Sequence, residues 1–308
     1  MSFSSDVKEE LIGYEKLALE NNALNPCCRF AEEYGFFLCC RNFDTYAMNI
    51  RTENRDIAER YARYIKEITG KKPEVTCSKA GNYFASVDTE EDRRLVMSEF
   101  GYTGNELNLR LKRESLEADC CKAAILRGAF LSCGTITDPK KDYHMEFVLI
   151  YKVLCDDLSE LLSEMGFHPK QVVRNGNHIL YFKESEAIEN LLTLMRATNS
   201  AMELMQTEMY KDMRNMVNRR MNFESANFSR SFEAAYKQVE AIRFIKEKRG
   251  LTYLPPELRE LAELRLENVE YTLSDLSKHL KEPLSKSGVN HRMNKIMALA
   301  DDLREEES

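Results

Sequence analysis

Residues 27–40 read CCRFAEEYGFFLCC, and residues 120–134 read CCKAAILRGAFLSCG. When Cys27 is aligned with Cys120, seven of fifteen positions are identical, namely Cys27/Cys120, Cys28/Cys121, Ala31/Ala124, Gly35/Gly128, Phe37/Phe130, Leu38/Leu131 and Cys40/Cys133. Identity at a single register over the length of one helix indicates an internal duplication.

The segments that follow the two copies have the same order, which extends the duplication to residues 1–100 and 115–200. Each half reads as helix, strand material, a polar helical stretch, two short strands and a further helix. The two short strands are PEVTCS and YFASVD around a turn at Gly81-Asn82, and KQVVRN and HILYFK around a turn at Gly176-Asn177. The pattern predicts an α+β domain built as a duplicated αββαββα unit.

Small residues recur at matched places in the repeated helix. Ala31 and Gly35 are four apart, as are Ala124 and Gly128, so each pair lies on one helix face. A glycine inside a helix costs about 1 kcal/mol relative to alanine. Two such losses at matched positions have a packing reason, and we predict that the helices meet closely at a pseudo-two-fold axis with Gly35 facing Gly128.

The composition is that of a globular protein, with 308 residues, 43% hydrophobic and 31% charged. Its longest apolar runs, such as residues 147–151, are too short to span a bilayer. We therefore expect a cytoplasmic protein with no membrane contact.

The nine cysteines are odd in number and include no CxxC pair. The vicinal pairs at 27–28 and 39–40 are the obvious candidates for zinc, but their spacing differs from that of a zinc knuckle. Since free cysteine packs as a small hydrophobe, we expect buried thiols, no bound metal and no cofactor.

Charge is unevenly distributed along the chain. Residues 1–200 carry 26 Lys and Arg against 32 Asp and Glu, residues 201–300 carry 17 against 14, and the last eight residues carry 1 against 5. This distribution favours an electropositive module on an acidic body, followed by an acidic tail.

The segment from about residue 200 is helical in pattern and rich in methionine. Methionine at this spacing is most often core filler, and we predict the same here. The basic surroundings suit a helical linker over residues 206–235, which could also lie along a phosphate backbone. A helix ending near Gly250 and another starting at Pro255-Pro256 are predicted to follow.

Residues 272–300 read TLSDLSKHLKEPLSKSGVNHRMNKIMALA. Thr272 can cap a short helix through His279, Pro283 breaks it, and Ser285 or Ser287 can cap the next helix. Short helix, break and a second helix rich in bonding side chains is the helix-turn-helix layout. The candidate DNA-binding residues are Lys278, Ser285, Lys286, Ser287, Asn290, His291, Arg292, Asn294 and Lys295. An ordinary helical hairpin with a solvated face is the alternative.

The stretches EYGFFLCCR (33–41) and LRGAFLSCG (126–134) resemble the motif of the LAGLIDADG homing endonucleases. In that fold two halves join at paired helices and their sheets form a saddle over DNA. The motif glycines fall on Gly35 and Gly128. The positions at which those nucleases keep a metal-binding acid are Cys40 and Cys133, and thiols are poor ligands for hard cations. The resemblance implies a nuclease fold without nuclease chemistry.

The whole chain resembles the WhiA family. The residues that carry the resemblance are SFSSDVKEEL (2–11), LRGAFLSCGTITDP (126–139), NRRMNFESANFSRS (218–231) and LSKSGVNHRMNKI (284–296), with Phe223 where cysteine is expected. It implies a LAGLIDADG-like domain over 1–205, the linker, and a helix-turn-helix domain over 236–308 with its motif at about 274–299. It also implies a non-enzymatic, nucleoid-associated regulator of transcription that binds double-stranded DNA and is tied to cell division, chromosome segregation and sporulation.

Two other functions remain open at this point. The acidic N-terminal domain and tail permit a protein-interaction factor of the division machinery, which would contact other regulatory or division proteins. A divergent metal-dependent DNA endonuclease would need acids outside the motif positions.

Overall fold

The structure is a computed structural model that describes residues 2–21, 23, 25–106, 108–116 and 118–306. The chain divides into two compact units, one ending at Lys211 and the other starting at Asp212.

The described residues of the first half of the N-terminal unit form four helices and a four-stranded antiparallel sheet. The strand order is β1-β2-β4-β3. In chain order the elements are α1 (Phe3–Glu20), α2 (Pro26–Leu38), β1 (Asn42–Phe43), β2 (Met48–Thr52), α3 (Arg55–Thr69), β3 (Thr76–Cys77), β4 (Tyr83–Ser86) and α4 (Glu90–Glu99).

The second half repeats this arrangement from α5 onward. Its sheet has the corresponding order β5-β6-β8-β7, again antiparallel. The elements are α5 (Asp119–Cys133), β5 (Gly134–Ile136), β6 (Met145–Leu149), α6 (Lys152–Glu164), β7 (Lys170–Arg174), β8 (Asn177–Phe182) and α7 (Ser185–Leu194). The predicted duplicated α+β fold is confirmed.

Two details of the first unit differ from the sequence prediction. Helix α1 was not predicted from the residue pattern. The second hairpin turns at Asn175-Gly176 and not at Gly176-Asn177, because both turn residues have positive φ (53° and 75°) and Arg174 pairs with Asn177. A two-residue turn of this kind requires positive φ at both central residues, and Asn-Gly adopts it readily.

Local signals set the ends of the helices that pack on the core. Asn54 accepts a hydrogen bond from the backbone nitrogen of Ile57 at 3.2 Å and so caps α3. The same helix ends at Gly70, whose φ of 76° lies in the left-handed region. Phe37 of α2 packs between the rings of Tyr61 and Phe100, at centroid distances of 5.3 and 5.6 Å. These contacts fix the repeated helix in the centre of the unit's core.

Four helices follow: α8 (Thr198–Arg249), α9 (Pro256–Glu267), α10 (Leu273–His279) and α11 (Lys286–Glu306). Helix α8 is continuous for 52 residues and contains the division between the two units. The core of the C-terminal unit is built from the end of α8 and the three later helices, with Ile242, Leu261, Leu276, Val289, Met293 and Ile296 among its buried side chains.

The prediction that the methionines of α8 fill a core is wrong. From residue 212 to residue 234 every side chain is exposed. The exposed methionines of this helix are Met202, Met205, Met209, Met213, Met216 and Met221. In the described part of the chain, none of the helices is both long enough and apolar enough to cross a bilayer.

Candidate nucleic-acid interface and the paired helices

Helices α2 and α5 pack against each other through their glycines. A Cβ added to Gly35 would lie 2.2 Å from the carbonyl oxygen of Ile125, and one added to Gly128 would lie 2.0 Å from that of Glu32. Ile125 lies three residues before Gly128, and Glu32 lies three residues before Gly35. The contact between the two helices is therefore symmetric. The backbone atoms nearest to each added Cβ thus lie one turn before the glycine of the other helix. Ala31 and Ala124 are fully buried in the same contact.

A buried charge network crosses this helix pair. Glu32 is fully buried and accepts from Nε of Arg127 at 2.7 Å and from Arg60 at 2.5 Å. Arg60 also lies 3.2 Å from the carboxylate of Glu15, which accepts from Tyr64 at 2.7 Å. The Glu32 carboxylate thus bridges an arginine from each half, and Glu15 supplies a second negative charge to Arg60. The repeat does not reveal this network, because the residue equivalent to Glu32 is Ile125.

The ionised form of Glu32 is the stable one inside this network. Burial alone would raise its pKa, but the two guanidinium groups outweigh burial and hold the pKa below its ordinary value. Removing one partner of such a buried ion pair leaves an uncompensated charge in the core and lowers the stability of the fold.

The C-terminal ends of the paired helices carry Cys40 and Cys133. The hydroxyl of Ser132 donates to Cys40 Sγ at 3.2 Å, and burial raises the pKa of Cys40 to about 12. Hydrogen bonding to Cys133, together with burial, raises the pKa of the neighbouring Cys39. Sulfur ligands at these two positions do not fit a hard divalent cation, which needs carboxylate oxygens.

The N-terminal ends of the same helices bring together four cysteines that the sequence did not pair. The Sγ atoms of Cys27, Cys28, Cys120 and Cys121 all lie within 4.8 Å of one another. Only Cys28 and Cys121 are buried, so the expectation of uniformly buried thiols is wrong for Cys27 and Cys120, and also for Cys77 on β3. The repeat alignment already contained the signal, since it matches Cys27 with Cys120 and Cys28 with Cys121.

In the C-terminal unit, the short helix α10 starts with a capping box. Thr272 and Asp275 exchange backbone-to-side-chain hydrogen bonds at 3.3 and 3.2 Å. The buried Arg265 donates to the carbonyl of Tyr271 at 2.5 Å and so holds the loop that leads into α10. In the break before α11, the backbone nitrogen of Lys281 donates to Glu260 at 2.7 Å. These bonds fix α10 and α11 in a helix-turn-helix layout.

Helix α11 begins beside Ser285, whose hydroxyl accepts from the backbone nitrogen of Gly288 at 3.1 Å. The same hydroxyl lies 3.0 Å from that of Ser287. Ser285, a candidate DNA contact, is exposed and also serves as the helix cap. The unpaired backbone N–H groups that any helix start carries are suited to a phosphate.

Most of the remaining candidates lie on the outer face of α11. The helix buries Val289, Met293 and Ile296, while the exposed candidates are Lys278 on α10 and Lys286, Ser287, Asn290, His291, Asn294 and Lys295 on α11. Arg292, also a candidate, lies at the border of this outer face. Its side chain is only 21% exposed and its Nη2 lies 3.5 Å from Glu257 Oε2, because position 292 falls at the border of the buried stripe.

Comparison with known proteins agrees with this geometry. A family profile for the WhiA C-terminal HTH domain matches residues 217–300, and one for the WhiA LAGLIDADG-like domain matches residues 122–214. A protein of Clostridium botulinum strain Hall named "Probable cell division protein WhiA" is 34% identical over 316 residues, covering 99% of both chains. The chain belongs to the WhiA family.

Two further WhiA proteins extend the likeness. One from Alkaliphilus metalliredigens is 35% identical over 317 residues, covering 98% of both chains. The crystal structure of full-length WhiA from Thermotoga maritima matches with a TM-score of 0.58 at 24% identity, covering 98% of this chain and 99% of that one. This last match confirms the fold, a LAGLIDADG-like domain followed by a helix-turn-helix domain.

Proposed function

We propose that this WhiA protein is a non-enzymatic regulator of transcription that binds double-stranded DNA through the outer face of α11. We infer that the regulated genes serve cell division, chromosome segregation and sporulation, and the relatives' name, "Probable cell division protein WhiA", supports the first of these. The observation that carries the proposal is the exposed row of Asn290, Asn294 and Lys295 on the second helix of a helix-turn-helix.

The chemistry of this face suits the major groove. Asparagine side chains can pair with adenine edges, and lysine can contact guanine or phosphate. Residues 278–295 carry five Lys and Arg against one acid, which gives a local excess of positive charge in an acidic chain. Such an excess supplies the electrostatic part of DNA affinity.

The donor set at the nuclease positions supports the absence of cleavage. Cys40 and Cys133 offer sulfur where a hydrolytic Mg²⁺ site would need carboxylate oxygen. Among the described residues, the one cluster of three or more possible metal ligands is the cysteine group at the opposite ends of these helices.

The N-terminal unit suits a contact with other regulatory or division proteins. Residues 1–200 have six more acidic than basic side chains, which disfavours a DNA saddle and favours a partner with a basic surface. A pull-down with the full chain that survives nuclease treatment, and whose crosslinks fall in residues 1–200, supports this second contact.

The proposed function is tested by incubating the full chain with a pool of genomic duplex fragments, with and without Mg²⁺. Native and denaturing gels of the same sample separate binding from cutting. We expect shifted but intact DNA, and loss of the shift when Asn290, Asn294 and Lys295 are changed together to alanine. Cutting that depends on Mg²⁺ would overturn the non-enzymatic function.

A further inference from the structure

The four cysteines at the N-terminal ends of α2 and α5 form a cluster that DNA binding does not use. Each half of the duplicated domain supplies two of them, from the first turn of its repeated helix. Their sulfur atoms lie within 4.8 Å of one another, although the two pairs are about ninety residues apart in sequence. The packing of the two helices therefore creates the cluster, and neither half contains it alone.

The spacing of the sulfurs fits a single tetrahedral ion. A zinc ion bound by four thiolates holds each sulfur at about 2.3 Å, which places the sulfurs about 3.8 Å apart. Side-chain rotations that move the sulfur atoms by roughly 1 Å would bring them to that spacing. An iron–sulfur cluster binds its cysteines through different irons and needs a wider arrangement.

The surroundings can balance the negative charge of four thiolates. The positive ends of two long helices point at the cluster. A cavity of about 500 Å³ adjoins it, and its lining includes Cys28, Cys120, Asp119 and the guanidinium of Arg196. Cys27 and Cys120 are exposed, so an ion can reach the sulfurs without opening the core.

We propose that Cys27, Cys28, Cys120 and Cys121 bind one thiophilic divalent cation, Zn²⁺, which joins the two halves of the duplicated domain. Binding releases the proton of each thiol to the solvent and forms one Zn–S bond to each sulfur. The site is structural, since four protein ligands leave no position for substrate or water. It lies at the opposite end of the helix pair from Cys40 and Cys133, and it does not depend on the DNA-binding function.

The test uses the reduced, chelator-treated full chain and Co²⁺ as a spectroscopic substitute for Zn²⁺. We expect one Co²⁺ per chain, with the intense sulfur-to-cobalt charge-transfer band and the visible bands of a tetrahedral tetrathiolate site, all displaced by Zn²⁺. Cys120→Ser should weaken Zn²⁺ binding on the order of 100-fold or more. Cys77→Ser removes an exposed cysteine on β3 and should change nothing.

A second measurement uses the unmodified chain, so that its result does not depend on whether a cysteine variant folds. In the unmodified chain, Zn²⁺ should protect the four clustered thiols from alkylation while Cys77 stays reactive. It should also raise the midpoint of thermal unfolding, and a chelator should reverse the rise. Absence of the cobalt bands, bands unchanged in Cys120→Ser, equal alkylation with and without Zn²⁺, or a disulfide linking the two helices in freshly isolated protein would each overturn the proposal.

Discussion

The contact between α2 and α5 around Gly35 and Gly128, called the seam here, differs in role from the outer face of α11. The seam packs two helices together, whereas the outer face of α11 is available to a ligand. At the seam, Gly35 and Gly128 have no side chain and the charge of Glu32 is fully enclosed. On α11, Asn290, Asn294 and Lys295 are exposed and leave the core of the C-terminal unit to their neighbours. Close packing of the two backbones leaves no space for side chains at the seam. The outer face of α11 instead exposes side chains that can bind a ligand.

The difference separates stability from function. Changes at the seam should lower the free energy of unfolding, because buried backbone contacts and buried charges have no alternative partners. Changes on the outer face of α11 should alter DNA binding and leave unfolding within about 0.5 kcal/mol of the parent. Each of the following variants tests that separation.

Glu32→Gln should have the largest effect. It leaves Arg127 buried without its acidic partner and Arg60 with Glu15 as its remaining carboxylate, and breaking a buried ion pair costs about 3–5 kcal/mol. Urea unfolding of the full chain measures the change. Glu224→Gln, which removes an exposed partner of Arg220 on α8, is the control and should cost under about 1 kcal/mol.

The same carboxylate predicts how stability depends on pH. The folded pKa of Glu32 lies below its ordinary value of 4.5, because Arg60 and Arg127 outweigh the effect of burial. The stabilisation is complete above the unfolded pKa and is lost as pH falls through the folded pKa. Unfolding measured below pH 4.5 should therefore show a steep acid loss, and Glu32→Gln should flatten it. An equally steep loss in that variant would assign the effect to other carboxylates.

Gly128→Ala should cost about 1–3 kcal/mol, since its Cβ would meet the carbonyl of Glu32 and force the two helices apart. Gly13→Ala on α1 is the matched control, because a Cβ there meets nothing within 4 Å. That control should gain up to about 1 kcal/mol from better helix propensity. Equal costs at the two glycines would show that close approach of the helices does not matter.

On α11, Lys295 and Arg292 should differ from each other. Lys295→Ala should reduce the salt dependence of DNA binding by about one unit of slope, with unfolding unchanged. Arg292→Ala should cost up to about 1 kcal/mol of stability through its pair with Glu257, and leave the salt slope nearly as it is. Equal slopes in both variants and the parent would remove α11 from the interface.

The sequence predicted the elements whose signals are local. Paired glycines marked the seam, and Thr272, Pro283 and Ser285 marked the helix-turn-helix, because caps and breaks act within a few residues. The Glu32 network joins side chains that are far apart in the chain and that no repeat pairs. The repeat alignment matched the four cysteines of the cluster, but it did not indicate that they meet. Successive residues of a helix are about 100° apart, so Arg292, next to the buried Met293, lies at the border of the outer face.

Helix α8 marks another limit of sequence reasoning. Its methionines have the spacing of a buried face, yet Met209, Met213 and Met216 are exposed. Apolar periodicity predicts a helix, but it does not say whether another part of the same chain covers it.

The most direct test titrates one bound DNA fragment with the full chain and with the Asn290→Ala, Asn294→Ala, Lys295→Ala variant, at matched salt, while unfolding is measured on the same samples. We predict that the variant loses specific affinity by on the order of 10-fold or more and keeps its free energy of unfolding. Undiminished affinity in a folded variant would contradict the assignment of α11 as the DNA-binding helix.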